Sequence, residues 1–278
     1  MSLLNSILRS LFDGLLYPAR NWPPLVSLAI LSFLVGIVML LVFKVTSNQT
    51  KLADVKRHIH AGLFEIRLFN DNLPLIFRAQ GEILRHNLTY LRLSLVPMLW
   101  IMVPLFLVIA QLQFHYGYRG LGPDEPVLVK VELQDGAVAS RGGARPDIAL
   151  EAPAGIRVET PAVWIPELNE VSWRIAAEEA GDYELTVRLG QETFTKSVVV
   201  SEAVVRRAPE RVASVWWKEL VFPAEAPLPD GSPILSVKLD YPDREISVLG
   251  FGLHWIVVFF VLSIVFAFAL RNRLGVTI

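Results

Sequence analysis

The hydrophobic residues of the chain are unevenly distributed and concentrate in three runs that contain no Asp, Glu, Lys or Arg. The runs cover residues 25–43, 93–114 and 246–270, and each contains 19 residues or more. Because a helix rises about 1.5 Å per residue, each run is long enough to cross about 30 Å of hydrocarbon. A segment in lipid must also satisfy its own backbone hydrogen bonds, which leaves helix as its structure. The pattern therefore predicts transmembrane helices at 25–44, 93–114 and 246–270.

The segment 1–24 has the pattern of a short amphipathic helix that lies in the membrane interface. Its apolar residues recur every three or four positions, with Arg9 and Asp13 between them. Trp22 and the prolines around it precede the first run, and tryptophan suits the headgroup layer. No small-residue cleavage site follows the first run, so we expect a retained anchor and not a cleaved signal peptide.

Residues 45–92 predict an antiparallel helical hairpin with coiled-coil packing. Apolar side chains recur at steps of three and four in two stretches, which a turn signal at 70–74 separates. The apolar positions are Leu52, Val55, Ile59, Leu63, Ile66 and Phe69 in the first stretch, and Leu73, Phe77, Leu84, Leu88 and Leu91 in the second. The segment is either a plain connector between two spans or an interaction element. Its length, far beyond what a connector needs, favours the interaction element.

Residues 115–245 have the pattern of an all-β domain inserted between the second and third runs. Stretches such as 127–133 and 183–187 partly alternate apolar and polar residues, and Gly and Pro clusters separate them. Tyr183, ten residues after Trp173, resembles the tyrosine corner of immunoglobulin-like sandwiches, whose paired cysteines are missing here. The predicted fold class is thus a membrane α-helical protein with an inserted immunoglobulin-like β-sandwich. Such a sandwich does not by itself define a function.

Charge differs strongly between the segments and predicts how the chain crosses the membrane. Residues 44–92 hold eight Lys or Arg against four acidic residues, and the tail 271–278 holds two arginines. Residues 115–248 hold 14 basic and 22 acidic side chains, a net charge of −8. Short basic segments stay in the cytoplasm. We therefore expect the hairpin and the tail in the cytoplasm, and the N-terminus and the β domain outside. The membrane that we expect is the plasma (inner) membrane of a prokaryote.

The residue types that catalyse reactions or hold cofactors form no motif. The chain has no cysteine, which excludes disulfides and thiolate chemistry. It also lacks a glycine-rich phosphate loop and the serine elbow of hydrolases. His58 and His60 stand two residues apart and so point to different faces of a helix. We expect no enzyme activity, no cofactor and no metal; an enzymatic outer domain would need a cleft with converging acids.

Polar and methionine residues at the predicted cytoplasmic ends of the first two spans form the candidate site. Lys44, with Ser47, Asn48 and Gln49, would form a polar mouth between the spans and the hairpin. The alternative for Lys44 is a side chain that only extends to the interface. Met98 and Met102 would adapt to varied apolar partners, and their alternative is ordinary packing.

The order of segments resembles the YidC/Oxa superfamily of membrane-protein insertases, and it is most similar to the minimal three-span, archaeal YidC-like members. The resemblance covers about residues 5–113, with 250–278 as the third span. It includes the proline-bearing segment 97–106, Pro-Met-Leu-Trp-Ile-Met-Val-Pro-Leu-Phe, after the hairpin. Two features depart from the family pattern. The stretch 33–43 lacks the arginine of bacterial members, and minimal members do not usually contain a sandwich of this size.

The resemblance implies an insertase or chaperone that performs no bond chemistry. A polar groove between the spans would accept the hydrophilic part of a nascent membrane protein while its apolar segment enters the lipid. The implied groove contacts are Lys44, Ser47, Asn48, Met98 and Met102, and the implied hairpin contacts with a nascent chain or the ribosome are Lys56, Arg57, Arg67 and Arg78. The alternative is a membrane-tethered interaction protein whose outer sandwich binds an extracytoplasmic partner.

Overall fold

The computed structural model describes residues 2–134 and 146–277, and the chain divides into two compact units. The first unit lies within Met1–Ser27 and Ile109–Trp255, and the second lies within Leu28–Val108 and Ile256–Ile278. The predicted intervals 1–24, 115–245 and 271–278 also contain residues 1, 135–145 and 278, which lie outside the described residues. A helical region and a separate β-sheet domain are both present, as the sequence predicted.

The helical region contains two helices long enough to cross a membrane. The helices of the described chain are α1 (Ser2–Leu16), α2 (Pro24–Thr46), α3 (Gln49–Leu68), α4 (Leu73–Tyr116), α5 (Trp216–Val221) and α6 (Trp255–Leu270). By length and composition, α2 and α4 are apolar enough to span a bilayer. Helix α4 has 44 residues and is about 66 Å long, since Pro97 and Pro104 do not interrupt it. The second arm of the hairpin and the second predicted span are therefore one continuous helix.

The third hydrophobic run forms two kinds of secondary structure. Strands β10 (Glu245–Val248) and β11 (Phe251–His254) pair as an antiparallel hairpin, and only the rest of the run is helix α6. The turn between them places Leu249 and Gly250 at positive φ angles of 53° and 87°. The helical part of the run has 16 residues, fewer than the 25 expected, because hydrophobicity alone does not separate an exposed apolar hairpin from a span. A third transmembrane helix therefore stays a prediction.

Helices α2 and α6 pack closely within the second unit. A Cβ added at Gly36 of α2 would lie 3.3 Å from the carbonyl oxygen of Ser263 in α6. The rings of Phe33 and Phe266 meet edge to face at 5.4 Å between centroids. The absence of a side chain at Gly36 thus allows a close backbone approach, a common feature of helix pairs in membranes.

The hairpin of α3 and α4 forms as predicted, but α4 does not pack through the predicted residues. Leu52, Val55 and Gly62 of α3 are buried, and Ala79 of α4 is buried as well. A Cβ added at Gly62 would lie 2.7 Å from Cγ1 of Ile83, so small residues determine where the two helices approach. The second predicted set (Leu73, Phe77, Leu84, Leu88 and Leu91) is exposed. Leu63 and Phe69 of the first set are exposed as well, so the predicted packing role of these seven residues is wrong.

The β domain of the first unit consists of two antiparallel sheets that share one core. The larger sheet has the order β3-β5-β1-β9-β8, with β4 also paired to β5, and the smaller has the order β2-β6-β7. The strands are β1 (Pro126–Leu133), β2 (Ile148–Glu151), β3 (Ile156–Val158), β4 (Val163–Ile165), β5 (Glu170–Ala177), β6 (Gly181–Leu189), β7 (Glu192–Val200), β8 (Glu210–Val212) and β9 (Ile234–Leu239). Trp173 and Ile175 of the larger sheet lie in the same buried cluster as Val187 and Phe194 of the smaller sheet.

The segment before the first span is a helix that exposes an apolar face. Phe12 and Leu16 of α1 are buried, whereas Leu3, Leu4, Ile7, Leu11 and Leu15 are exposed. The amide nitrogen of Asn5 donates to the backbone carbonyl of Glu219 in α5 at 2.7 Å. Helix α5 in turn exposes Trp216 and Trp217. An exposed apolar face is what an interfacial helix requires.

Tyr183 of β6 is held by contacts at the start of the smaller sheet. Its hydroxyl donates to the backbone carbonyl of Glu179 at 3.0 Å. Gly155 has a φ of 93°, and a Cβ there would lie 2.8 Å from Cε1 of the Tyr183 ring. We expect Gly155→Ala to destabilise the domain by about 2 kcal/mol, from backbone strain and from the ring contact together. Thermal unfolding of the full-length protein, followed by tryptophan fluorescence, measures this change.

Gly231→Ala is the matched control for Gly155→Ala. Gly231 also has a positive φ, 75°, but no atom lies within 4 Å of an added Cβ. Its substitution therefore introduces backbone strain alone, about 1 kcal/mol. Equal destabilisation by the two substitutions would show that the Tyr183 contact contributes nothing.

Candidate functional site

A polar cleft lies at the base of the helical hairpin, within the second unit. It encloses about 610 Å³ between the end of α2, the first turns of α3 and the middle of α4. The lining residues are Thr46, Asn48, Lys51, Asp54, Val55, Thr89, Arg92, Leu93, Val96 and Pro97. The side-chain oxygen of Asn48 accepts a hydrogen bond from the backbone nitrogen of Lys51 at 3.0 Å and so caps α3. Polar and charged side chains thus line most of the cleft, and Leu93, Val96 and Pro97 of α4 add apolar lining.

The charged side chains of the cleft have an excess of positive charge. Lys51 and Arg92 contribute two basic groups, and Asp54 contributes the single acidic group among the lining residues. Asp54 already pairs with Arg57, at 3.2 Å, on the same helix. The cleft is therefore suited to polar or acidic segments of a binding partner.

Lys44 and Ser47, two of the predicted groove residues, lie outside this cleft. The Nζ of Lys44 donates to the backbone carbonyl oxygen of Leu274 at 2.7 Å. Ser47 accepts a short hydrogen bond from Gln49, whose side-chain oxygen accepts from the backbone nitrogen of Thr277 at 2.6 Å. Lys44 and Gln49 thus contact the C-terminal tail, and Ser47 contacts Gln49, whereas Asn48 does line the cleft.

Met98 and Met102 lie on an exposed apolar stripe of α4 and not in the cleft. Their side chains are 54% and 53% exposed. The residues that share this face follow one another at steps of seven, four, three, four, three, four and four. We call this set the α4 stripe: Phe77, Leu84, Leu88, Leu91, Leu95, Met98, Met102 and Phe106.

The α4 stripe passes from the hairpin into the predicted span without a break. Its 29 helical steps correspond to about 43 Å along the helix axis. The part before residue 93 lies outside the span predicted at 93–114, so the stripe presents leucines where lipid is not expected to cover them. Soluble segments rarely expose a contiguous apolar patch of this kind unless it binds something.

The four basic residues predicted for partner contacts have different surroundings in the hairpin. Lys56 lies over the ring of Tyr90 at 5.7 Å, and its pKa is lowered by partial burial and by the charge of Arg271. Arg57 and Arg78 form ion pairs within their own helices, with Asp54 and Glu82, each at 3.2 Å. Arg67 is exposed in the last turn of α3.

Sequence reasoning missed Lys51, Asp54, Thr89 and Arg92 as cleft residues. Arg92 directly precedes the second hydrophobic run, and Lys51 and Asp54 are one turn apart on the first turns of α3. Both are signals for a polar site at a membrane boundary, and only the fold of the hairpin brings them together.

Comparison with known proteins identifies no relative of this chain. No family model matches it, and no curated protein matches it at a significant level. The resemblance to the YidC/Oxa superfamily therefore stays a prediction that rests on the order of segments.

Proposed function

We propose that this chain is a membrane-protein insertase or chaperone that receives short apolar segments at its hairpin and passes them into the bilayer. The single observation that supports this most is the α4 stripe, an exposed apolar face that continues from the hairpin into a predicted span. A substrate helix on this face would exchange protein contacts for lipid contacts without exposing its apolar surface to water.

The polar cleft would serve the hydrophilic flank of the same substrate. Moving an unpaired polar group into hydrocarbon costs roughly 2 to 7 kcal/mol. Lys51, Arg92 and Thr89 offer hydrogen-bond partners at the level where the stripe reaches residue 95. A substrate that binds both surfaces would place its apolar segment on the stripe and its polar flank in the cleft.

The proposed topology has three spans, with α6 as the third, and an outer domain of the immunoglobulin-like class. Support for this class comes from the Tyr183 hydroxyl, which donates to the carbonyl of a residue four positions upstream, as in a tyrosine corner. The basic hairpin and tail support a cytoplasmic location for both. The hairpin's Arg67, Arg57, Arg78 and Lys56 would then face a nascent chain or the ribosome.

A membrane-tethered interaction protein is the second candidate function. Trp216 and Trp217 of α5 and Val163 of β4 are exposed on the first unit, and aromatic residues are enriched at protein interfaces. In that case the outer domain would bind one extracytoplasmic partner, and the hairpin would have no substrate.

Site-specific photo-crosslinking in cells tests the proposal. The probe replaces Leu91 or Met98 on the stripe, or Lys51 in the cleft, one at a time. Leu68, an exposed leucine of α3 outside both surfaces, is the control position. We expect the three test positions to capture several short nascent membrane proteins, and Leu68 to capture few.

Three outcomes would contradict the insertase proposal. Capture of lipid alone would leave the stripe as an ordinary lipid-facing surface. A product of twice the mass of the chain would identify the stripe as a contact between two copies. A single stable partner, captured from Val163 but not from Leu91, would favour the tethered interaction protein.

A further inference from the structure

Two arginines of the first unit are buried and act on each other electrostatically, and a third, Arg206, is partly buried next to one of them in sequence. Arg206 and Arg207 belong to the segment 201–208 that follows β7, and Arg244 precedes β10. The side chain of Arg206 is 28% exposed, and the residues Arg207 and Arg244 are buried. Arginine is rarely buried unless a counter-charge accompanies it, so we expect carboxylates next to these three guanidinium groups.

The carboxylates available to these arginines are too few to balance their charge. Asp13 of α1 approaches Arg206 at 3.0 Å. Within the described part of the chain, no carboxylate lies within 4.0 Å of Arg207 or Arg244. Arg207 donates instead to backbone carbonyls of the 201–208 segment, at 2.9 Å for Ala203, and Arg244 donates to the carbonyl of Glu202 at 3.3 Å. Carbonyl dipoles offset only part of a full charge.

Each of the three guanidinium groups also retains an unused donor. Nη1 of Arg206, Nε of Arg207 and Nη1 of Arg244 are buried and have no hydrogen-bond partner among the described residues. Burial lowers the pKa of Arg207 to about 10, and the charge of Arg244 adds to this effect. The cluster therefore holds positive charge at an energetic cost, which a bound anion would reduce.

A cleft of about 800 Å³ opens in front of the 201–206 segment. Its basic lining residues are Arg9 of α1, Arg20, Arg206 and His115. Of its acidic residues, Asp13 accepts from His115 at 3.2 Å and pairs with Arg206. Glu225 pairs with Lys196 at 2.7 Å. Asp182, an exposed residue, also lines the cleft. With Asp13 and Glu225 already occupied by cations, Arg9 and Arg20 exceed this remaining carboxylate by one charge, which favours a negatively charged ligand.

The position of the cleft relative to α1 indicates the kind of anion. Arg9, Asp13, Leu16 and Tyr17 line the cleft, and the opposite face of α1 exposes Leu3, Ile7, Leu11 and Leu15. If this face contacts lipid, as its apolar character predicts, the cleft lies at the depth of the headgroups. Arginines at that depth bind phosphate through charge-assisted hydrogen bonds.

We propose that this cleft binds a phosphate-bearing anion, either the headgroup of an anionic phospholipid or free phosphate, through Arg9, Arg20 and Arg206. Of the three arginines described above, Arg206 is the one that lines the cleft, so the phosphate would accept from its unused Nη1 and hold α1 against the β domain. This site is separate from the α4 stripe and does not depend on the insertase function.

Binding to the purified full-length protein in detergent tests the proposal. Native mass spectrometry and thermal unfolding would compare phosphatidylglycerol, a diacylglycerol that lacks phosphate, and inorganic phosphate. We expect phosphatidylglycerol to bind and to raise the unfolding temperature, and diacylglycerol to do neither. Phosphate alone, if it stabilises the protein as much as the lipid does, would support the site and identify its source as free phosphate.

Substitutions at the rim of the cleft identify the residues responsible. We expect R9Q/R20Q to weaken binding about tenfold or more, because two charge-assisted contacts are lost. R9K/R20K, which keeps both charges, should retain binding within about threefold. R174Q/R188Q, at two exposed arginines of the β domain, is the matched control and should bind as the wild type does.

Two results would overturn the proposal. The first is equal binding of diacylglycerol and phosphatidylglycerol, which would assign the contact to the acyl chains. The second is unchanged phosphate and lipid binding in R9Q/R20Q. Should R9Q/R20Q fold poorly, the single variants R9Q and R20Q decide, and binding equal to that of R174Q/R188Q in both would overturn the proposal.

Discussion

If the chain is the insertase proposed above, replacing Leu88 and Leu91 by glutamine should abolish most of that proposed activity and leave the fold intact. Both side chains lie on the α4 stripe, 59% and 62% exposed, so the folded protein gains little from them. A substrate helix that buries them would gain about 1 kcal/mol from each. The double substitution therefore removes about 2 kcal/mol of binding, roughly 30-fold in affinity. The measurement is the fraction of a short single-span substrate inserted into proteoliposomes, with protease protection as the readout.

The control for this experiment is the pair Leu63→Gln and Leu68→Gln on α3. These leucines are exposed on the same hairpin, but they lie outside the stripe. We expect the control to insert substrate as the wild type does, and both variants to unfold within about 2 °C of it, since exposed substitutions change stability little. Equal loss of insertion in the two variants would mean that general polarity of the hairpin, and not the stripe, determines activity.

The hairpin illustrates what periodicity can and cannot predict. Steps of three and four predicted two helices, and the signal at 70–74 predicted a turn between them; the structure has the turn at 69–72, with residues 73 and 74 already helical. Helix α4 has two faces that could pack on α3, however. The face with the larger leucines was predicted to be buried, but it is exposed. The contact of Gly62 with Ile83 and the buried Ala79 show that small residues determined the approach. Sequence periodicity finds an apolar face but does not identify its partner.

The third hydrophobic run shows a similar limit. Residues 246–254 contain no charge, so hydropathy could not separate them from the helix that follows. The turn at Leu249 and Gly250 depends on two successive positive φ angles, which Gly supplies readily and Leu does not. The cleft at the base of the hairpin was only partly predictable, because Asn48 and Arg92 come together through the fold and not through spacing.

The buried ion pair of the β domain should be the most sensitive polar contact in the protein. Lys196 is fully buried on β7, and its Nζ donates to Glu225 at 2.7 Å and to the carbonyl of Ala208 at 2.6 Å. Glu225→Gln would leave the lysine charge buried without its counter-charge, which costs about 3 kcal/mol or more. Glu132→Gln, which breaks the partly exposed pair with Lys238 at 3.4 Å, should cost about 1 kcal/mol or less. Thermal unfolding of the full-length variants, followed by tryptophan fluorescence, compares them.

The pH dependence of the stability of Glu225→Gln also tests whether the unpaired charge of Lys196 causes the loss of stability. Burial lowers the pKa of Lys196 from its usual 10.5, and the charge of Glu225 opposes this decrease. Between the folded and unfolded pKa values the unfolded chain binds more protons, so stability rises with pH up to about 10.5. Removing the charge of Glu225 lowers the pKa of Lys196 in the folded protein further. The pH range over which stability rises therefore extends to lower pH. The loss of unfolding temperature in Glu225→Gln should therefore be larger at pH 7 than at pH 9.5.

The double variant Lys196→Met/Glu225→Gln tests whether the instability of Glu225→Gln comes from the buried charge of Lys196. Methionine fills a similar volume between Phe194 and Val198 on the same face of β7 and needs no counter-charge. We expect the double variant to recover most of the stability that Glu225→Gln loses, and to lose the dependence on pH. A double variant as unstable as Glu225→Gln would show that the unpaired charge of Lys196 is not the cause of the instability, because glutamine retains an oxygen that can accept the hydrogen bond from the backbone nitrogen of Ser197.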